Sequence, residues 1–378
     1  MATFTEKAKL FRGLVDGEVA YRGPFIFLFD ITRRCNLHCI GCRYHSDEVH
    51  MPSPTDQGVT DISVNLFKKL CRELVPLGTR EIILTGEGEP FLHPRIFDII
   101  SIAKQAGFRI QVYTNGTLFD ESRLRALVDS GSDIVLFSLW AGTYEDYQKT
   151  YPRDDPENFN RIVTAMKCLS RLKAEYKKTL PRVVLHPTIF RNNYKEMDSL
   201  VELAAETRCD KMEFATLKTR RGVLDSYVLS RDEERVLMNT LKATEKKLNS
   251  LSIDHNIPKI VRHYRIGNKV WEKYPCYVGW VQAHMKVDGT VFPCNPCDLP
   301  MGNADQKTFA EVWNGPAFRA FRRKTITRDG LATMDRHCDC SFCRHIDDNI
   351  RIHRRFKWFS PFFVKKNKTE TSPVPVCS

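Results

Sequence analysis

Phe25-Ile26-Phe27-Leu28-Phe29-Asp30-Ile31-Thr32-Arg33-Arg34-Cys35-Asn36-Leu37-His38-Cys39-Ile40-Gly41-Cys42 joins an apolar run of strand length to a loop that holds three cysteines within eight residues. A continuous apolar run that ends in a polar loop reads as a strand buried on both faces, as in a parallel sheet. The same texture recurs downstream. Short β-branched runs at 81–85, 109–114, 133–140, 182–190 and 211–216 alternate with amphipathic segments at 64–77, 95–106, 121–130, 160–174 and 194–207. Gly78, Gly107 and Gly131 stand where helix C-termini favour a left-handed residue. Six βα units predict an α/β fold, a partial (β/α)6 TIM-like barrel, with its functional groups at the strand C-termini.

The chain has 378 residues, 42% hydrophobic and 28% charged, enough for one large core and a smaller appended one. No stretch approaches twenty apolar residues, and the N-terminal segment lacks the apolar core of a signal peptide, so a cytoplasmic location is expected. In a reducing compartment thirteen cysteines argue for metal or redox chemistry rather than structural disulfides. Cys71, Cys168, Cys209 and Cys377 stand alone and read as small hydrophobes, whereas the others fall in two groups. Texture divides the chain into an N-terminal extension (1–23), the barrel (24–265), a small α+β cysteine-rich domain (266–345) and a basic aromatic tail (346–378). A charged helix from Ser230 to Asn249 and a linker containing Ile257 and Pro258 lie at the end of the barrel.

Three thiolates on one loop fit a zinc site completed by His38 or His45, or an iron–sulfur cluster with one iron left open. Gly86-Glu87-Gly88-Glu89-Pro90 follows the second strand, Thr114-Asn115-Gly116-Thr117 closes the third, and Ser138 ends the fourth. Glycines admit a ligand close to the backbone, and a carboxylate at a strand end can pair with a cation. In this order, these segments and the CxxxCxxC loop resemble the radical S-adenosylmethionine (SAM) superfamily over about residues 24 to 265. The resemblance implies a [4Fe-4S] cluster held by Cys35, Cys39 and Cys42, whose open iron chelates SAM. It also implies a SAM site built from Gly86, Gly88, Glu89, Pro90, Thr114, Asn115 and Ser138, with Glu89 receiving the SAM ammonium. Relatives often carry an aromatic residue just before the third cysteine; this chain has Gly41, and Tyr44 is the expected substitute.

Cys276, Gly289 and Cys294, followed by Cys338, Cys340 and Cys343, resemble the SPASM/twitch extension of that superfamily over about residues 270 to 345. The resemblance implies one auxiliary [4Fe-4S] cluster on Cys276, Cys294, Cys340 and Cys343, with Cys297 and Cys338 in reserve; a zinc ribbon is the alternative. Strand alternation turns His186 and Thr188, Glu213 with Lys211 and Ala215, and Gln111 with Tyr113 to common faces. His186 and Glu213 are the catalytic candidates, and Cys209, like Cys297, is a spare thiol able to donate hydrogen. Lys218, Arg220 and Arg221 either bind an anionic substrate or form a solvated loop. Arg351 to Lys368 interleaves bases and aromatics, suited to packing on the barrel or to a peripheral membrane surface; nucleic acid is not expected.

The resemblance implies an enzyme that takes electrons from a flavodoxin or ferredoxin and cleaves SAM to a 5′-deoxyadenosyl radical. The expected substrate is a small molecule of carbohydrate or aminocyclitol type, oxidised or epimerised. Two alternatives are a peptide-modifying maturase, disfavoured by the short segment before the first strand, and a non-enzymatic metal protein that binds RNA.

Overall fold

The computed structural model describes residues 3–47, 49, 53, 55, 58–217, 222–267, 270–334, 338, 343 and 345–356. Its strands are β1 (Ile26–Asp30), β2 (Glu81–Thr85), β3 (Arg109–Thr114), β4 (Ile134–Phe137), β5 (Arg182–Leu185), β6 (Thr188–Ile189), β7 (Lys211–Met212), β8 (Ala215–Thr216), β9 (Asp254–His255), β10 (Gln282–Met285), β11 (Thr290–Phe292) and β12 (Gly302–Asn303). Helices α1 (Phe4–Asp16), α2 (Val64–Leu74), α3 (Ile96–Gln105), α4 (Glu121–Asp129), α5 (Tyr144–Thr150), α6 (Asn158–Glu175), α7 (Met197–Glu206), α8 (Arg231–Ser250) and α9 (Ile257–Ile266) lie between or beside them. The sheet order is β12-β11-β10-β1-β2-β3-β4-β5-β7-β9, parallel from β10 to β9 and antiparallel at β11 and β12.

Burial follows from this wrapping. Phe27, Phe29, Ile82, Leu84, Ile110, Val112, Val135 and Val183 point outward to the helices and are fully buried. The alternate residues Ile26, Leu28, Ile83, Gln111 and Tyr113 are only partly buried because they face a cavity inside the curve of the sheet. Gly78, Gly107 and Gly131 adopt φ of 84°, 86° and 69°, the left-handed geometry expected of them.

The structure corrects three expectations. The fifth and sixth runs are each split, into β5 and β6 around His186-Pro187 and into β7 and β8; a proline has no N–H to give a central ladder. The region around Ile257 and Pro258 is helix α9 rather than linker, with Pro258 in its first turn, where a missing N–H costs nothing. The barrel sheet also does not end at six strands. β10, from the cysteine-rich region, pairs in parallel with β1, and β9 adds to β7, so the sheet runs through both parts of the chain. The N-terminal extension forms α1, opened by a Thr3–Glu6 capping box. Among the described residues no helix is long and apolar enough to cross a membrane.

Candidate active site

The loop after β1 is held against the Gly-rich turn after β2. Gly88 N–H donates to the Thr32 carbonyl (3.0 Å) and Glu89 N–H to that of Arg34 (2.8 Å). A Cβ on Gly88 would collide with the Arg34 carbonyl oxygen, so glycine is required for this approach. Cys35, Cys39 and Cys42 are each partly buried, and burial raises all three thiols, that of Cys35 to about 12. Cys39 is raised further by Cys42 and Cys35, which places the sulfurs in one electrostatic neighbourhood. Thiols that resist ionisation alone and share one nest suit a strongly cationic group. His38 turns to Asp154 instead, its backbone N–H 2.9 Å from Oδ1. Among the described residues no three Cys, His, Asp or Glu side chains are grouped as ligands of one ion. A cluster needs no such grouping, since each thiolate binds a different iron.

Glu89 stands between the Gly-rich turn and the end of β3. It is buried and accepts from Phe91 N–H (3.1 Å), Thr114 Oγ1 (2.8 Å) and Asn115 N–H (2.5 Å), and burial pushes its pKa up to about 7. Its role is to tie the turn at Gly86, Gly88 and Pro90 to the end of β3. Asn115 continues the link, donating through Nδ2 to Asn36 Oδ1 inside the cysteine loop (2.9 Å). Glu89 and Asn115 thus brace the Gly-rich turn, the end of β3 and the cysteine loop against one another.

A cavity of about 420 Å³ opens at the C-terminal ends of the strands. Arg43, Tyr44, Ser138 and Trp140 line its cysteine-loop end; Gln111, Tyr113, His186, Glu213 and Lys259 line the other. Ser138 Oγ accepts from Trp140 Nε1 at 3.1 Å. The His186 ring meets Tyr113 edge-on at 5.2 Å. Burial alone would raise Glu213, but Lys211 Nζ at 2.6 Å holds its carboxyl below the usual range. Strand alternation thus oriented His186, Glu213 and Gln111 correctly. Lys259, on α9, was missed because that segment reads as linker, and Asn295, Pro296, His345 and Asp348 because the approach of the second domain has no local signal.

Cys209 is corrected. It precedes β7 at the strand N-termini, lines a groove with Arg182, Arg208 and Asp254, and contacts the Lys211 carbonyl at 3.5 Å, away from the cavity. Burial raises its thiol to about 12. In the second group Cys276, Cys294 and Cys343 are buried, and Cys276 is raised by burial and then by Cys343 and Cys294. Cys340, Cys377, Lys218, Arg220, Arg221 and the tail from residue 357 lie outside the described residues. Cys297 and Cys338 face each other across a β-bridge, with Cα atoms 4.1 Å apart.

Residues 29–204 match the model of the radical SAM superfamily, and residues 276–344 that of SPASM, an iron–sulfur cluster-binding domain. This chain is a radical SAM enzyme with a SPASM domain. Its cofactors are SAM, a [4Fe-4S] cluster and auxiliary iron–sulfur, and the RNA-binding alternative gives way. The radical SAM protein is 25% identical to an AdoMet-dependent heme synthase of Methanosarcina barkeri, covering 85% of this chain and 91% of the relative. It is 24% identical to the PqqA peptide cyclase of Ruegeria pomeroyi, covering 85% and 81%. Among solved structures, the fold resembles Streptococcus suis SuiB bound to S-adenosylmethionine (TM-score 0.61, 14% identity, 86% of this chain and 74% of that one). It also resembles native anSMEcpe with bound AdoMet (TM-score 0.61, 17% identity, 89% and 97%).

Proposed function

We propose that this enzyme abstracts a hydrogen atom from a peptide side chain held in the cavity, beginning an oxidative modification of that peptide. The observation that carries the reading is the cavity itself: one void touches Arg43 and Tyr44, next to Cys42, and also His186 and Glu213 on the opposite wall. Cys35, Cys39 and Cys42 would hold the [4Fe-4S] cluster, and the backbone at Gly86 and Gly88, with Ser138, would face SAM. When bound and reduced, the cluster supplies the electron that cleaves SAM to methionine and a 5′-deoxyadenosyl radical. Cys276, Cys294, Cys343 and Cys340 would ligate the auxiliary cluster.

Peptide is preferred to the carbohydrate-like substrate expected above because PqqA peptide cyclases from several bacteria recur among the relatives that span most of the chain. His186 and Glu213 would orient the target side chain, and His186 can take up or deliver a proton at a ring nitrogen. The test is anaerobic reconstitution, then reduction with SAM in the presence of peptide or sugar pools. Peptide-stimulated 5′-deoxyadenosine, with a peptide product lacking two hydrogens, supports the reading; stimulation by sugars alone overturns it.

A further inference from the structure

β10 carries a buried cation into the barrel wall. Lys286, which follows β10, is about as enclosed as a side chain can be, with 4% of it exposed. Its Nζ lies 2.6 Å from Glu87 Oε1, 2.9 Å from Asp30 Oδ2 and 3.1 Å from the Tyr44 hydroxyl. Asp30 ends β1 and also receives His284 Nε2 at 2.9 Å. Glu87, the middle residue of the Gly-rich turn, is held on its far side by Arg33 Nε at 3.1 Å, and Ser53 Oγ donates to it at 2.9 Å. Two cations, Lys286 and Arg33, thus face two carboxylates, Asp30 and Glu87, and the set closes without a net charge.

Each contact of Lys286 ends on something next to the SAM-facing end of the cavity. Glu87 lies between Gly86 and Gly88, and the backbone N–H groups of Gly88 and Glu89 donate to Thr32 and Arg34 ahead of Cys35. Tyr44 lines the cavity two residues after Cys42. Lys286 itself does not line the cavity, so whatever it does there is done through these neighbours. Lys286 lies within the SPASM match, whereas Asp30, Tyr44 and Glu87 lie within the radical SAM match.

We infer that Lys286 is a positioning residue of the SAM site, by which the SPASM domain clamps the Gly-rich turn and the Tyr44 ring into the geometry that receives SAM. A single buried ammonium with three fixed partners suits this task, because charge-assisted bonds hold both segments before the ligand arrives and little ordering is left for binding to cost. The inference does not depend on which substrate occupies the rest of the cavity.

The test uses the full chain, anaerobically reconstituted, and reads SAM binding by calorimetry alongside iron content and circular dichroism. Lys286→Met alone leaves Asp30 and Glu87 buried without their cation and can fail to fold. The decisive variant is therefore the double Lys286→Met, Asp30→Asn, which removes the clamp and leaves Glu87 paired with Arg33. The expected result is iron at the parent's level, native circular dichroism, and a SAM dissociation constant raised about tenfold or more. A folded, iron-loaded double variant that binds SAM within about twofold of the parent overturns the inference. So does a double variant that loses about half of its iron, because the network would then support a cluster rather than SAM.

Discussion

A Cβ placed on Gly41 would stand 2.9 Å from Cζ3 of Trp140, and equally close to Cδ1 of Leu217. The indole that follows β4 therefore occupies the space in front of the cysteine loop, where the superfamily resemblance leads one to expect a side chain from the loop itself. Gly41→Ala is expected to displace the loop and lower iron from about eight to about four per chain. In a Trp140→Ala, Leu217→Ala background the same change should cost little iron, and a colorimetric iron assay on all four proteins reads this coupling.

Glu89 supplies a pH signature. Burial pushes its carboxyl up to about 7 in the folded protein, above the usual carboxylate range. A raised carboxyl pKa gives stability that is complete below the unfolded value and is lost as pH rises toward 7. The parent protein should therefore lose stability relative to Glu89→Gln between about pH 4.5 and about 7 and run parallel to it above. Urea denaturation across that range measures the difference; parallel curves throughout would show that Glu89 does not titrate there.

The second cysteine group divides into the proposed ligands and the facing pair Cys297 and Cys338. Cys276→Ser, Cys294→Ser and Cys343→Ser should each lower iron toward about four per chain, while Cys297→Ser and Cys338→Ser keep about eight. Iron loss in Cys297→Ser would make that residue a ligand.

His186→Ala should leave SAM binding and basal 5′-deoxyadenosine formation in place while product falls about a hundredfold. The ratio of product to 5′-deoxyadenosine, by chromatography, is the readout. Glu213→Gln, which removes the partner of Lys211, should also lower that ratio, by about tenfold.

Much of the barrel is legible in the amino-acid sequence. The apolar runs located β1 to β5, and period-two alternation faced Gln111, His186 and Glu213 into the cavity because a pleated strand sends successive side chains to opposite sides. Cys209, chosen only as a spare thiol, lies before β7 at the end of the strands opposite the cavity, a height along the barrel that a count of unused cysteines does not carry.

The amino-acid sequence by itself determined the chemistry of the cysteine loop, the order of the SAM-facing turns and the left-handed glycines, since each depends on residues within one turn or one strand. Only the tertiary structure decided that β10 joins β1, that Lys286 meets Glu87 across 199 positions, that Cys297 pairs with Cys338 across 41, and that Trp140 fills the space over Gly41. Those contacts come from sheet pairing between distant segments. They leave no periodicity in the local sequence, and their energy is realised only once the chain has closed the loops between them.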